Sequence, residues 1–468
     1  MCGILGLFDF NKKINHNFFS KILKTIEHRG PDNLGLWYDE NVNFFIGHAR
    51  LSILDLRKEA NQPMISIDKN LIISFNGEIY NHLQIRKKLN SKFHIEWITT
   101  SDTETLLRCI EYIGIEDTLK IIDGMYSFAL WNIKEKFLTL VRDRFGEKPL
   151  YYGYLNGRFI FTSDLSVLKD DEFITKIDKK SFQHYVNFNN VGGDMSIYEG
   201  IKKLPPGSYI KLNYDNIKKY FYPKVNKYYN KLSIIKSNRN KYKKISDFEI
   251  CSKVENILKR SVDEKLISDV PIGSFLSGGV DSSLITALMS NNSQNKVKTF
   301  SIGFNESQYD ESIYAKKIAN YLGTNHTEYI ATQSEVLDVI PSISSIYSEP
   351  FSDSSQIPTY ILSKITNKEV KVALTGDAGD ELFGGYNRYN YVSTINYFCS
   401  FLPHNIRIFF KKIIMKVPVN QWEYLFSLFK YLLTKKYRIN LFGDKLLKLA
   451  NIIDKKSDKE IYNSLISH

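Results

Sequence analysis

The residue with the most chemistry to offer is the second one. Cys2 follows an initiator Met and precedes Gly3. A small second residue permits removal of Met1, which leaves a thiol and a free α-amine on one residue. An α-amine titrates at about 7.7–8.0, a lysine amine at about 10.4. A useful fraction of the former is therefore unprotonated at neutral pH. An N-terminal cysteine thus brings its own general base, acting directly or through a water. Taken alone, Cys2 reads equally well as the small apolar opening of a strand. A second constellation lies at 276–283: Leu276-Ser277-Gly278-Gly279-Val280-Asp281-Ser282-Ser283. It follows an apolar run and opens a helix. Two glycines let successive backbone amides turn toward one anion, the helix N-terminus adds partial positive charge, and the serines add donors. The GxxxxGK[ST] loop and its lysine are absent at this point. A third, acidic string, LTGDAGDELFGGY, occupies 374–386.

The elements that must position these groups change character along the chain. Residues 70–76 and 137–142 are apolar and β-prone. Residues 102–113 carry apolar side chains at helical spacing, with Asp102 as the expected N-cap. Residues 150–162 predict a hairpin around Asn156-Gly157. The stretch 223–247 is rich in Lys and Asn with little periodicity, and reads as a basic linker or surface excursion. Beyond it, Ile250, Val254, Ile257, Leu258 and Val262 mark one helical face. A strand ending at Phe275-Leu276, a helix from about 282, strand 297–304, helix 311–322, strand 327–331, helix 354–366 and strand 370–375 follow. Such alternation predicts a parallel, layered α/β domain.

Composition narrows the class. The chain has 468 residues, 43% hydrophobic and 24% charged, enough for two or three full cores and against whole-chain disorder. Lys+Arg 63 against Asp+Glu 51 gives +12, but the basic residues are dispersed, which argues against a nucleic-acid partner. The four cysteines at 2, 109, 251 and 399 form no CxxC pair and suit a reducing compartment. No apolar run reaches the ~18 residues of a membrane span. The N-terminus carries no secretory signal pattern, so a cytoplasmic protein is expected.

Several independent motifs occur in order: MCGI, RGPD (29–32), HARLSILDL (48–56), FNGEIYN (75–81), SDTE (101–104) and DRFGEKPLYY (143–152). Together they resemble the N-terminal nucleophile type of glutamine amidotransferase domain, specifically that of glutamine-hydrolysing asparagine synthetases. The resemblance implies an αββα nucleophile-hydrolase layer domain at 2–212. It makes Cys2 the nucleophile, with Asn76 and Gly77 as oxyanion donors. It assigns Arg50, Ile53, Asn76, Gly77, Glu78 and Asp102 to glutamine, and lets loop 28–33 close over it. Pairings of Cys2 with His28, His48 or His82 are not needed for a base. The 276–283 string resembles the SGGxDS loop of ATP pyrophosphatases, which cleave ATP between its α and β phosphates.

The resemblance therefore implies a HUP-like, parallel-sheet ATP-pyrophosphatase domain at 248–468, with 213–247 between the two. Leu276, Ser277, Gly278, Gly279, Asp281, Ser282, Ile302, Thr375 and Gly376 are expected near ATP, and Asp281 and Asp380 near Mg2+. Asp377 stands where many relatives carry Glu as proton acceptor. The implied reaction uses glutamine, ATP and aspartate, with a sugar acid as alternative substrate and room for a homodimer. A further alternative is a glutaminase whose synthetase half is inactive. Residues 387–468 read as amphipathic helices with basic flanks. They lack the family's lysine-containing phosphate segment, so the synthetase half is expected to be incomplete.

Overall fold

A computed structural model describes residues 1–10, 15–242, 245–306, 310–430 and 441–467. Residues 243–244 of the basic run, and 431–440 and 468 of the C-terminal stretch, lie outside the described residues. The chain forms two compact units: residues 1–185 with 190–376, and residues 186–189 with 377–468.

The first unit begins with β1 (Gly3–Asp9), α1 (His16–Lys24), β2 (Asn33–Asp39), β3 (Phe44–Arg50), β4 (Met64–Ile65) and β5 (Leu71–Ile79). Next come α2 (His82–Asn90), α3 (Asp102–Ile121), β6 (Gly124–Asn132), β7 (Phe137–Arg142), β8 (Tyr151–Leu155) and β9 (Arg158–Thr162). Short strands β10 (Ile201–Lys203), β11 (Ser208–Asn213) and β12 (Asn226–Lys227) complete two six-stranded sheets. Their orders are β10-β8-β9-β1-β3-β2 and β12-β11-β7-β6-β5-β4. Alternate residues of each strand serve different layers, as strand geometry requires. Ile4, Phe8, Phe44 and Ile46 meet Ile72, Trp131 and Leu140 between the sheets. Leu5, Leu7 and Phe45 face Phe19 and Ile22 of α1, whereas Ile73, Phe75 and Phe128 face Ile85 of α2 and Leu106 of α3. The result is a helix–sheet–sheet–helix stack. With both faces covered, every residue of β1 and β3 is buried.

Three local expectations change. The N-cap of α3 is Ser101, whose Oγ accepts from Glu104 N at 3.2 Å, and Asp102 is the first helical residue. The helix runs on past 113 through a kink at Gly114, where φ is +77°. The 223–247 run is only partly an excursion. β12 pairs with β11, and Tyr228 Oη donates to Arg142 O at 2.9 Å. The Asn156-Gly157 hairpin forms as expected, with φ of +49° and +78°.

The remainder of this unit holds β13 (Ile272–Phe275), β14 (Lys298–Phe304), β15 (Asn325–Ala331) and β16 (Val372–Leu374), all parallel in the order β15-β14-β13-β16. Helices Val280–Asn292, Ser312–Leu322 and Gln356–Thr366 supply the crossovers. Of the apolar face expected on helix Asp247–Lys265, Val262 is buried and Leu258 packs beside it, but Ile257 is 57% exposed. Polar stitches join this sheet to the antiparallel layers. Asp55 N donates to Asp269 Oδ2 at 2.7 Å, and Asp269 N donates to Ile53 O at 3.0 Å.

The second unit is helical among its described residues. Helix Asn387–Phe401 packs on Asp458–Ile466 through Val392, Ile461 and Tyr462. Arg407 ties in the turn before the latter by donating to Ile453 O and Lys455 O, both at 2.8 Å. Among the described residues, no helix is long and apolar enough to cross a membrane.

Candidate active site

Cys2 stands immediately before β1. Pairing of Gly3 with Ala49 of β3 fixes it against the end of that strand. Its Sγ accepts from Leu51 N at 3.4 Å and lies 3.7 Å from Leu51 O. Arg29 Nε donates to Cys2 O at 3.1 Å. Burial raises the thiol above its ordinary range, while the Leu51 contact, the chain-terminal amine and Lys148 pull it back. Met1 still precedes Cys2 here, and burial lowers its amine to about 6. None of His28, His48 and His82 forms a hydrogen bond to Cys2. His48 Nε2 is spent on Phe75 O at 3.0 Å, and burial holds its ring neutral with a pKa of about 3.

Cys2 lines a cavity of about 230 Å³, ample for an amino acid when a water needs ~10–15 Å³. Arg50, Ile53, Asn76, Gly77, Glu78 and Asp102 line it too, so the first-domain site residues expected from the sequence share one space. Asn76 is fully buried in β5, and neither its Oδ1 nor its Nδ2 has a hydrogen-bond partner. A buried amide left unmade on both sides costs about 1–3 kcal/mol per group, an expense expected where a ligand completes it. Next to it, Gly77 is required by close approach. A Cβ there would strike Met125 O and come within 2.6 Å of Tyr126 Cα.

Two carboxylates follow. Glu78 has a buried, unpartnered Oε1, and burial with the Asp102 charge pushes it up to about 7. Asp102 is pushed up to about 6 by burial, although it accepts from Ile79 N at 2.8 Å. Both would be favoured as anions by an incoming ammonium.

Arg50 is more committed than expected. It donates to Arg57 O at 3.0 Å, Asn61 Oδ1 at 2.7 Å, Leu54 O at 3.3 Å and Asp55 O. In this state the guanidinium organises loop 51–61. The loop at 28–33 is tied down as well, with Asp32 Oδ2 accepting from Ser52 N at 2.8 Å. Sequence reasoning missed Lys148, Gln62, and the wall formed by Lys371, Val372 and Ala373. Gln62 Oε1 accepts from Phe75 N at 2.7 Å and so holds β5 in place. Only Lys148 sat within a motif already noticed, the 143–152 string.

The glycine loop joins β13 to helix Val280–Asn292. Gly278 has φ +81°, and a Cβ there would meet Tyr314 Cβ at 2.7 Å and Ala315 N at 2.8 Å. Ser277 and Ser282 hydroxyls lie 3.0 Å apart, and Gly279 N donates to Ser277 Oγ at 3.3 Å. Gly376 closes on the same helix end, where a Cβ would meet Ser282 N at 2.6 Å. Leu276 is buried against Ala315 and Ala319, so its side chain is core. Ile302 is half-buried in β14, and Thr375 follows β16.

Asp281 lies in the first turn of that helix, and its carboxylate engages no hydrogen bond or ion pair among the described residues. In the second unit, Asp380 sits in the first turn of helix Gly379–Phe383, two residues after Ala378, whose φ is +70°. Asp377 directly precedes Ala378. A carboxylate such as that of Asp281 is of the type a hard cation such as Mg2+ takes, usually one or two together with phosphate oxygens. No cluster of three or more His, Cys, Asp or Glu able to hold a metal occurs among the described residues.

Comparison with known proteins agrees with this two-part chemistry. Residues 1–229 match a family model described as a glutamine amidotransferase domain, and 253–467 one described as asparagine synthase. A putative asparagine synthetase [glutamine-hydrolyzing] 2 of Methanocaldococcus jannaschii is 34% identical, covering 99% of this chain and 89% of that protein. Asparagine synthetase [glutamine-hydrolyzing] 1 of Bacillus subtilis is 35% identical, covering 83% of this chain and 59% of that protein. Among solved structures, a glutamine phosphoribosylpyrophosphate amidotransferase from B. subtilis superposes with a TM-score of 0.37 at 16% identity, over 70% of this chain and 65% of that one. The two family matches define the class, a glutamine amidotransferase fused to a synthetase half. More narrowly, the chain belongs to the glutamine-hydrolysing asparagine synthetase family.

Proposed function

We propose that the protein hydrolyses glutamine at Cys2 and uses the ammonia, with ATP, to amidate a carboxylate, converting aspartate to asparagine with release of AMP and pyrophosphate. The observation that carries the first half is Asn76, a wholly buried amide with no partner, lining the same cavity as Cys2. After loss of Met1, the Cys2 amine accepts the thiol proton and sulfur attacks the glutamine side-chain amide. Asn76 Nδ2 and Gly77 N–H are the donors for the resulting oxyanion, each worth on the order of 3 kcal/mol. Arg50 and Ile53 would orient the α-carboxylate end, and Glu78 with Asp102 the α-ammonium.

For the second half, the support is the loop 277–283 with its left-handed Gly278 and serine hydroxyls at a helix start. Leu276, Ser277, Gly278, Gly279, Asp281, Ser282, Ile302, Thr375 and Gly376 would surround ATP. Asp281 and Asp380 would hold Mg2+, which when bound neutralises the charge of departing pyrophosphate. Asp377 would accept a proton from the attacking ammonia. The same reading puts the reaction in the cytoplasm, as a homodimer or alone, without nucleic acid.

The test is pyrophosphate release from ATP and glutamine with aspartate or a uronic acid as acceptor. Release with aspartate upholds the reading. Release with the uronate alone replaces the acceptor. Glutamine hydrolysis with neither acceptor productive reduces the protein to a glutaminase.

A further inference from the structure

The motif DRFGEKPLYY holds one side chain that the reaction outlined above leaves unused. Lys148 is 6% exposed and lines the Cys2 cavity, and its ammonium makes no hydrogen bond or ion pair among the described residues. A buried ammonium without a partner is costly, and buried lysines are normally paired.

The chain spends much to hold it there. Asp143 Oδ1 accepts from Phe145 N, Gly146 N and Glu147 N at 3.0, 2.6 and 3.0 Å, and Oδ2 accepts from Lys148 N at 3.0 Å. Arg142 clamps the other side, with Nε donating to Lys148 O at 2.8 Å and Nη2 to Gly146 O at 2.7 Å. The turn passes through Gly146 at φ +73°. One carboxylate and one guanidinium thus set the backbone of four residues, 145–148, through six hydrogen bonds, and the side chain they deliver into the cavity is Lys148. The cavity's other cationic side chains are committed elsewhere: Arg50 to loop 51–61 and, in the reading above, to the substrate carboxylate, and Lys371 to Asp32.

We propose that Lys148 is the working cation of the glutaminase site, offsetting the negative charge that gathers on Cys2 Sγ and then on the amide oxygen. This rests on Cys2 being the nucleophile. The thiol proton passes to the Cys2 amine, sulfur bonds to the amide carbon, and the C=O electron pair moves onto oxygen. When that pair returns, the C–N bond breaks and the amine's proton leaves with nitrogen as ammonia, giving a thioester for water to cleave. Thiolate and oxyanion are both anions inside a cavity that already holds Glu78 and Asp102, so an unbalanced positive charge is what the step lacks.

Electrostatics agree with the placement. Lys148 pulls the Cys2 thiol down, and burial pulls Lys148 itself down while Glu78 and Glu147 hold it up. The other charged groups acting on the pair are the chain-terminal amine, Arg29, Arg50 and Asp102, all unchanged in the variants below.

The test uses Lys148→Met and Lys148→Arg in the full chain. Alkylation of Cys2 by iodoacetamide is followed against pH on the N-terminal peptide, since Cys109, Cys251 and Cys399 are also free thiols. Lys148→Met is expected to move the alkylation midpoint up by about one pH unit. It should also lower glutaminase kcat about tenfold or more, with KM for glutamine little changed. Lys148→Arg should restore the midpoint, and ammonia-dependent turnover should be untouched in both. An unmoved midpoint overturns the proposal. So does a rise in KM alone, which would make Lys148 a carboxylate anchor, or loss of thermal stability in both variants with an unmoved midpoint. If the unaltered protein hydrolyses no glutamine, the proposed function fails, while the midpoint still tests Lys148.

Discussion

Lys371, the residue before β16, binds both carboxylate oxygens of Asp32, at 3.2 and 2.9 Å. Asp32 belongs to the 28–33 loop whose Arg29 holds Cys2 O, and β16 leads to Gly376 at the glycine loop. One ion pair therefore ties the nucleophile's loop to the strand that ends beside the expected nucleotide site. Both partners are about a third exposed, so the pair itself contributes only ~0.2–1 kcal/mol. Its use is positional. Lys371→Ala should shift thermal unfolding little, yet raise KM for glutamine several-fold and leave more ammonia escaping per amide formed. Equal stoichiometry of glutamine consumed and amide made would refute that.

Cys2→Ala should abolish glutamine hydrolysis while ammonia-dependent turnover, read as pyrophosphate release, stays near that of the unaltered protein. Intact-mass measurement should show the chain beginning at Cys2. A retained Met1 would leave the Cys2 nitrogen as an amide with no basicity, and activity would have to be absent.

Glu78 titrates near 7 in the folded chain, against about 4.3 for a free glutamate. Between those values the folded state binds more protons than the unfolded one, so stability falls as pH rises through that window. Glu78→Gln should therefore raise the melting temperature at pH 8 and have little effect at pH 4. Glutamine's ammonium needs the ionised form, so glutamine binding to Cys2→Ala protein should tighten from pH 6 to pH 8 and release protons. Calorimetry in buffers of different ionisation enthalpy reads both. A flat affinity across that range would argue against Glu78 as the ammonium partner.

Asp281→Ala should remove ATP-dependent pyrophosphate release by at least about a hundredfold while leaving glutamine hydrolysis within about twofold, because removal of a charge-stabilising group costs roughly 3 kcal/mol or more. Loss of both activities together would mean that the helix start is structural.

What could be read from the sequence was whatever lay in short contiguous strings. Cys2, Asn76, Gly77, Glu78 and Asp102 line one cavity because each sits in or beside a strand or helix end whose pattern is local. The parallel strands were legible for the same reason. Lys148 was not, since a lysine in a turn usually points to water. Its burial depends on Asp143 and Arg142 closing the turn, and Arg142 also reaches Leu204 O at 2.8 Å. Arg50's engagement with four groups of loop 51–61 was equally hidden, because carbonyls carry no side-chain signature. Ser101 displaced Asp102 as cap because the Asp102 carboxylate is drawn to Ile79 N. The residues 226–229 gave no strand period, yet Tyr228 docks through hydroxyl contacts to Tyr126 and Arg142.

The wall of Val372 and Ala373 has a consequence for dissecting this polypeptide. A fragment stopped at residue 229, where the amidotransferase match ends, would lose one side of the Cys2 chamber to bulk solvent. Such a piece would split its substrate in a breached vessel, so the two halves are better regarded as joint owners of one room than as separable tools.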